Sequence, residues 1–217
     1  ARDLVAVVPF GISPNVLVVP PARGWKTVGD LVAAAQAKPA ACNFSFVGVG
    51  SATHLSAEGL RASAGLDAMH VPFKGGAEAM TEVIAGRIDF FFGPVPLVLP
   101  QIQAGKLTAL AVNGAKPSAA LPNVPTTSKA GFANAEYPIW LGMFLPAKTP
   151  GEIDDKLNRE THKALQEPKV RDKLAALGFE PMVMIADDGQ VAGARVAFHF
   201  RDLATGKDKR DAAMHKW

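Results

Sequence analysis

Asn43-Phe44-Ser45-Phe46-Val47-Gly48-Val49-Gly50-Ser51-Ala52-Thr53-His54 and His70-Val71-Pro72-Phe73-Lys74-Gly75-Gly76-Ala77 are the two stretches that decide the fold. In each, a β-prone run ends in glycines and a helix-forming stretch begins. A helix N-terminus carries unpaired backbone N–H groups and partial positive charge. Glycine lets an anion come close to that backbone. Two such junctions in one chain point to a receptor for a small anion, a carboxylate foremost.

The alternation continues on both sides. Upstream, Leu4 to Pro9 and Asn15 to Val19 are valine-rich runs bounded by proline and glycine, and read as strands. Thr27, with Asp30 three residues on, is the N-cap of a helix through Leu31 to Ala37. Asn43 to Val47 is a strand, Thr53 to Ala64 a helix, and Ala68 to Phe73 the next strand. Glu78 to Ala85 forms a helix whose apolar face is Met80, Val83 and Ile84, ended by Gly86. Ile88 to Phe92 is a buried strand, Val98 to Ala104 a short helix, and Leu107 to Val112 another strand. Residues 40 to 113 therefore predict a parallel sheet with helices on both faces, and ligands of such sheets sit at the carboxyl ends of the strands. Beyond a polar excursion from Lys116 to Gly131, Tyr137 to Pro146 reads as a strand. Helices start at Pro150 and Pro168, the second closed by Gly178, and Phe179 to Ile185 is a last strand-like run. Gln190 to Leu203 carries a weak helical pattern and Gly206 to Lys216 is charged.

Composition narrows the partners. The 217 residues are 48% hydrophobic and 20% charged, which is globular rather than disordered. A net charge of +3 is too small to argue for nucleic acid. The single cysteine, Cys42, allows no intrachain disulfide and no cysteine metal cluster, and its apolar setting reads as a buried, inert thiol. No apolar run is long enough to span a bilayer, and no signal peptide stands at Ala1.

Each candidate site residue has a structural reading beside the functional one. Gly48-Val49-Gly50-Ser51-Ala52-Thr53 resembles half of a dinucleotide fingerprint, but the third glycine and the ribose-binding acid are absent. It reads as an anion loop, or as a tight turn with Ser51 or Thr53 as N-cap. His54 either donates to a ligand carboxylate or hydrogen-bonds backbone within the fold. Lys74 pairs with a carboxylate beside Phe73 or is simply solvated. Phe90-Phe91-Phe92 is a core strand, with the Gly93 backbone at its ligand-facing end. Ser51 and His54 also suit a nucleophile and base, without an orienting carboxylate. His70 has no second histidine at metal-ligand spacing, so no metal, cofactor or catalytic residue is expected.

The whole pattern resembles the Bug-type solute receptors of tripartite tricarboxylate transporters. The resemblance runs through Ser45-x-x-Gly48-x-Gly50-Ser51-x-Thr53-His54-Leu55, His70-Val71-Pro72-Phe73-Lys74-Gly75, Gly86-Arg87-Ile88-Asp89 and Ile102-x-Ala104-Gly105-Lys106-Leu107. It resumes at Leu121-Pro122-Asn123-Val124-Pro125-Thr126, Trp140-x-Gly142-x-Phe144-x-Pro146, Lys156-Leu157-Asn158 and Leu174-x-x-Leu177-Gly178. It implies a two-lobed α/β fold of the type II periplasmic-binding-protein kind, each lobe a mainly parallel sheet flanked by helices. Residues 14–147 would form a complete ligand-binding lobe. Residues 1–13 and 148–217 would supply the crossover strand and C-terminal helices of a second lobe whose N-terminal part is not in this chain. The hinge would lie in Leu4 to Ser13 and after Pro146.

By the same resemblance, Ser45, Gly48, Gly50, Ser51, Thr53 and His54 form one side of the ligand site and Phe73, Lys74 and Gly75 another, with Gly93 nearby. A monomeric periplasmic receptor would close on a small carboxylate and deliver it to membrane permease subunits. The family's first loop is commonly small and polar, whereas this chain has Phe46, Val47 and Val49, and Gly93-Pro94 replaces a polar residue. Both changes favour an aromatic or aliphatic acid over citrate-like polyacids. The tail from Asp187 matches the family poorly. A regulator's ligand-sensing module, or a small hydrolase using Ser51 and His54, are the alternative readings.

Overall fold

The computed structural model describes residues 3–38, 41–114, 116–132, 135, 137, 139–181, 200–201 and 208–209. The chain divides into two units. One comprises residues 11–141 and 167–181, the other residues 1–10, 142–166 and 182–217. The division falls inside two strands, β1 (Leu4–Ile12) and β7 (Trp140–Pro146).

The first unit is built on a five-stranded sheet in the order β4-β3-β5-β2-β6. Its strands are β2 (Asn15–Val19), β3 (Cys42–Val47), β4 (Ala68–Phe73), β5 (Phe90–Pro94) and β6 (Thr108–Asn113). β3 runs parallel to β4 and to β5, while β2 runs antiparallel to both β5 and β6. The strands of residues 40–113 thus share one direction, as the alternation predicts. β2 is inserted against them between β5 and β6. A run of valines carries no directional information; the sense of β2 follows from its connections.

Helices cover both faces. α1 (Val28–Ala37) and α2 (Ala52–Ala64) bury Leu31, Ala35, Ala57 and Leu60 against Leu17, Phe44, Phe90 and Phe92. α3 (Gly76–Ile84) and α4 (Val95–Gln103) bury Ala79, Val83 and Val98 against Val16, Val18 and Phe91. The consecutive phenylalanines 90–92 therefore serve opposite faces, as a strand covered on both sides requires. Burying each contributes about 1.5–3 kcal/mol. α1 starts on the expected capping box. The Thr27 hydroxyl accepts from Asp30 N at 3.1 Å, and the Asp30 carboxylate accepts from Thr27 N at 2.9 Å.

Helix α6 (Pro168–Ala176) and β8 (Glu180–Pro181) differ from the expected partition, which places residues 148–217 in the second lobe. Residues 167–181 belong with the five-stranded sheet. The reason is packing: the Gly178 backbone lies so close to Val95 that a Cβ there would be 2.5 Å from Val95 Cγ1. β8 pairs antiparallel with the end of β1, Gly11 opposite Pro181 and Ile12 opposite Glu180.

In the other unit, helix α5 (Gly151–Gln166) buries Asp154, His162 and Leu165. Asn158 Nδ2 donates to the Val7 carbonyl at 2.6 Å. β9 (Phe200–Arg201) and β10 (Asp208–Lys209) form an antiparallel ribbon. The expected strand through Ile185 and the weak helix over 190–203 fall mostly outside the described residues; Phe200–Arg201 is extended rather than helical. Among the described residues, no helix is long and apolar enough to cross a membrane.

Candidate functional site

β3, β4 and β5 point the same way, and each leads directly into a helix: α2 at Ala52, α3 at Gly76 and α4 at Val95. Three helix N-termini therefore line the carboxyl edge of the sheet. The first-turn amides of α2 and α3 have no intrahelical acceptor, whereas at α4 Val95 N donates to the Pro14 carbonyl at 3.4 Å and Pro96 carries no N–H; the dipoles of all three add positive potential. β2 brings its first residue to the same edge, since Asn15 is paired with Pro94 and with Asn113.

The Gly48–Ser51 turn needs its glycines. Gly48 has φ +78° and Gly50 φ +76°, the left-handed region, and a Cβ at either would meet nothing within 4 Å. Between them Val49 is 86% exposed, an apolar side chain at the tip of the turn. Much of the turn's polarity is spent on its own shape. Ser51 is the N-cap of α2, its hydroxyl accepting from His54 N at 3.2 Å. Thr53 Oγ1 accepts from Val47 N at 3.0 Å and lies 2.9 Å from Ser51 Oγ. His54 Nδ1 accepts from Gly50 N at 3.2 Å. The amides of Ala52 and Thr53, in the first turn of α2, are the donors this geometry leaves to a ligand.

The same bonds bear on the nucleophile–base reading. The Ser51 hydroxyl is engaged with the His54 backbone rather than its ring. The ring acceptor of His54 is turned to Gly50.

The remaining expected residues separate. Phe73 is half-buried and packs on the α3–α4 face, and Lys74 beside it is exposed. Gly75 is the N-cap of α3 without a side-chain cap, so the start of α3 is unsheltered. Ser45 is fully buried on the α3 side of the sheet, opposite Val71 and Phe91. Its neighbours Phe44 and Phe46 point to the other face, so Ser45 is not brought to the Gly48 turn. Its hydroxyl has no protein partner, and such a group costs about 1–3 kcal/mol unless water or a ligand satisfies it. Gly93 is buried and paired with Val16. A Cβ there would lie 2.4 Å from Val98 Cγ1 and 2.7 Å from Phe91 Cε1. Its missing side chain thus serves core packing.

Asn15 and Asn113 are polar residues at this edge that no local motif marks. Both are fully buried and face each other across β2 and β6. Asn15 Nδ2 donates to Ser56 Oγ at 3.1 Å and to the Ala52 carbonyl at 3.4 Å, tying β2 to the start of α2. Asn113 Oδ1 accepts from Tyr137 N at 2.6 Å. Asn15 Oδ1 and Asn113 Nδ2 have no protein partner, a complementary acceptor and donor that suit an ordered water. The signal in the sequence is an asparagine opening the otherwise all-apolar Asn15–Val19 and another closing Thr108–Asn113.

The opposite, amino-terminal end of the strands is a poor anion site. A cleft of about 550 Å³ there is lined by Arg23, Trp25, Cys42 and Asp89. Asp89 is buried, pairs with Arg23 and accepts from Asn43 N at 2.8 Å. Burial, then the Asp89 charge, pushes the Cys42 thiol up to about 12, so it stays protonated.

A doubly covered α/β sheet with helix N-termini gathered at its carboxyl edge is an arrangement that can receive an anion. Comparison with known proteins gives the family. The model of the tripartite tricarboxylate transporter family receptor matches residues 1–214. A UPF0065 protein encoded in the tcbD-tcbE intergenic region of Pseudomonas sp. (strain P51) is 34% identical over 180 residues, 82% of this chain and 54% of that protein. Protein BugT of Bordetella pertussis is 31% identical over 186 residues, 86% of this chain and 57% of that protein. Among solved structures, that of R. palustris Rpa4515 with adipate superposes with a TM-score of 0.80 at 30% identity, covering 83% of this chain and 60% of that one. The chain belongs to the tripartite tricarboxylate transporter receptor family. It spans about half the length of the curated relatives it matches.

Proposed function

We propose that this chain is the larger part of a periplasmic solute receptor that captures a small carboxylate and delivers it to the membrane permease of a tripartite tricarboxylate transporter. The observation that carries the reading is the line of three helix N-termini along one sheet edge, with exposed Lys74 beside the uncapped start of α3. A carboxylate there accepts charge-assisted hydrogen bonds from backbone amides and pairs with an ammonium. The match to the adipate-bound structure supports the ligand class. Capture is completed by hinge closure of the receptor, with no chemical step. The receptor acts as a monomer without a cofactor.

Val49 puts an exposed apolar side chain at the tip of the turn, so the preferred ligand is an aliphatic or aromatic mono- or dicarboxylate rather than a polyacid. Isothermal titration calorimetry with adipate, benzoate and citrate tests this. Binding of adipate or benzoate well above citrate supports the reading. A preference for citrate, or a response to none of the three, overturns the ligand class assigned here.

A further inference from the structure

His54, Glu58, Arg61 and His70 form one cluster beside the Gly48–Ser51 turn. Ligand-capable atoms of His54, Glu58 and His70 lie within 4.8 Å of one another, a spacing that suits a divalent cation. Two features speak against a metal. The guanidinium of Arg61 is already the cation of the cluster. Its Nη1 donates to both Glu58 oxygens at 2.8 and 3.0 Å and lies 2.6 Å from His70 Nε2. An arginine N–H only donates, so His70 Nε2 presents its lone pair there. The 3.1 Å approach of that atom to Glu58 is then a contact of two acceptors held together by Arg61, not a hydrogen bond. The second feature is the ring of His54. Its Nδ1 accepts from Gly50 N, which places the proton of the neutral ring on Nε2, the atom that would have to ligate.

We propose that His54 is a positioning residue: a neutral imidazole, locked in the Nε2–H tautomer, whose Nδ1 holds the Gly50 amide and so keeps the turn in its binding shape. The inference rests on reading that turn as part of the carboxylate site. It assigns His54 a role through the loop rather than on the ligand. The lock has support on each side. The ring lies on Phe46 of β3 with centroids 4.3 Å apart, and its Nε2 is 3.8 Å from the Glu58 carboxylate one turn further along α2. From β4 the His70 ring faces it at 5.7 Å between centroids.

The charged and titratable groups facing His54 are therefore Glu58, Arg61 and His70. Protonation of His54 would set an N–H at Nδ1 against the N–H of Gly50. The bond would be lost and the turn released. The sign follows: the receptor binds its carboxylate in the neutral state of His54 and loosens on acidification.

The test uses the isotope-labelled chain without ligand, by long-range proton–nitrogen NMR from about pH 8 to about pH 5, where imidazoles titrate. The expected result is an unprotonated Nδ1 on His54 at the upper end, and a Gly50 amide resonance that moves with the His54 ring. An Nδ1–H tautomer, or a Gly50 amide indifferent to the ring, overturns the proposal. Calorimetry with adipate over the same range adds the functional arm. Wild type should weaken by about fivefold as His54 protonates, the worth of one hydrogen bond. His54→Asn, whose carbonyl can still accept from Gly50, should stay near the upper-pH affinity throughout. His54→Leu should be about fivefold weaker and flat with pH. A wild-type pH slope surviving in His54→Leu also overturns it. If adipate binds no variant at any pH, the function proposed for the site fails for that ligand, while the tautomer and the Gly50 resonance still decide the role of His54.

Discussion

Gly50→Ala separates the backbone cost of the binding turn from its role with a ligand. Gly50 has φ +76°, and a Cβ there meets nothing within 4 Å. No clash is created, so the cost is that of a left-handed L-residue, about 1–2 kcal/mol. For a chain of this size that is a fall in Tm of about 2–8 °C. Gly24→Ala is the matched control. Gly24 has φ +72° and equally open space, but it closes the short 3-10 turn at Pro21–Arg23, away from the site. Both alanine variants should lose similar stability by calorimetric unfolding. They should part in adipate binding. The open space beside Gly50 leaves the turn's backbone open to an anion, and Gly50→Val, which fills it further, should lose roughly tenfold to a hundredfold in affinity. Gly24→Ala should bind as wild type. A folded Gly50→Val with unchanged affinity would refute the turn as a binding element. A Tm loss at Gly50→Ala far beyond that at Gly24→Ala would refute the claim that its space is open.

Three further outcomes follow from the same geometry. Lys74→Ala should weaken adipate binding by about 1.5–3 kcal/mol with Tm unchanged, because the side chain is exposed and its value lies in pairing with the ligand; unchanged affinity in titration would return Lys74 to the solvated surface. Gly93→Ala drives a methyl to 2.4 Å from Val98 Cγ1 and should cost about 1–3 kcal/mol in denaturant unfolding, with no special effect on affinity if the variant folds. Cys42 should resist alkylation in the native state and react on unfolding. Its folded value of about 12 lies above the unfolded 9.0. The thiol's contribution to stability is therefore complete below 9.0 and is lost as pH rises from there towards 12; native-state labelling as fast as that of the unfolded chain would contradict its burial.

Legibility in the sequence tracks how local each determinant is. The strand Asn15–Val19, the strand Ala68–Phe73 and the Thr27–Asp30 capping box were readable to the residue, because valine runs, proline stops and N-caps act over a few positions. Helix α4 starts at Val95, three residues before the expected Val98, because Pro96 falls in its first turn, where proline's missing N–H costs nothing. Of the candidate site, the sequence shows Gly48, Gly50 and Gly75 as glycines between a strand and a helix, because that punctuation is local. The sequence does not show that the alternation of side chains turns Ser45 to the α3 face, or that the space a Gly93 side chain would take is filled by Val98. Asn15 and Asn113 are not marked as a pair, because nothing local shows that two such distant residues share an edge.

By itself the sequence determined the order of strands and helices and, to within a few residues, where they fall, since caps, glycines and prolines act through short-range backbone chemistry. It thereby determined that several helix starts carry glycine rather than bulky side chains, the basis of the anion-binding reading. Only the tertiary structure decided that β2 runs against its neighbours and that α6 joins the five-stranded unit. It alone decided that His54 spends its ring acceptor on Gly50 beneath a cluster centred on Arg61. Those outcomes depend on register and packing between residues far apart in the chain, which local propensity does not encode.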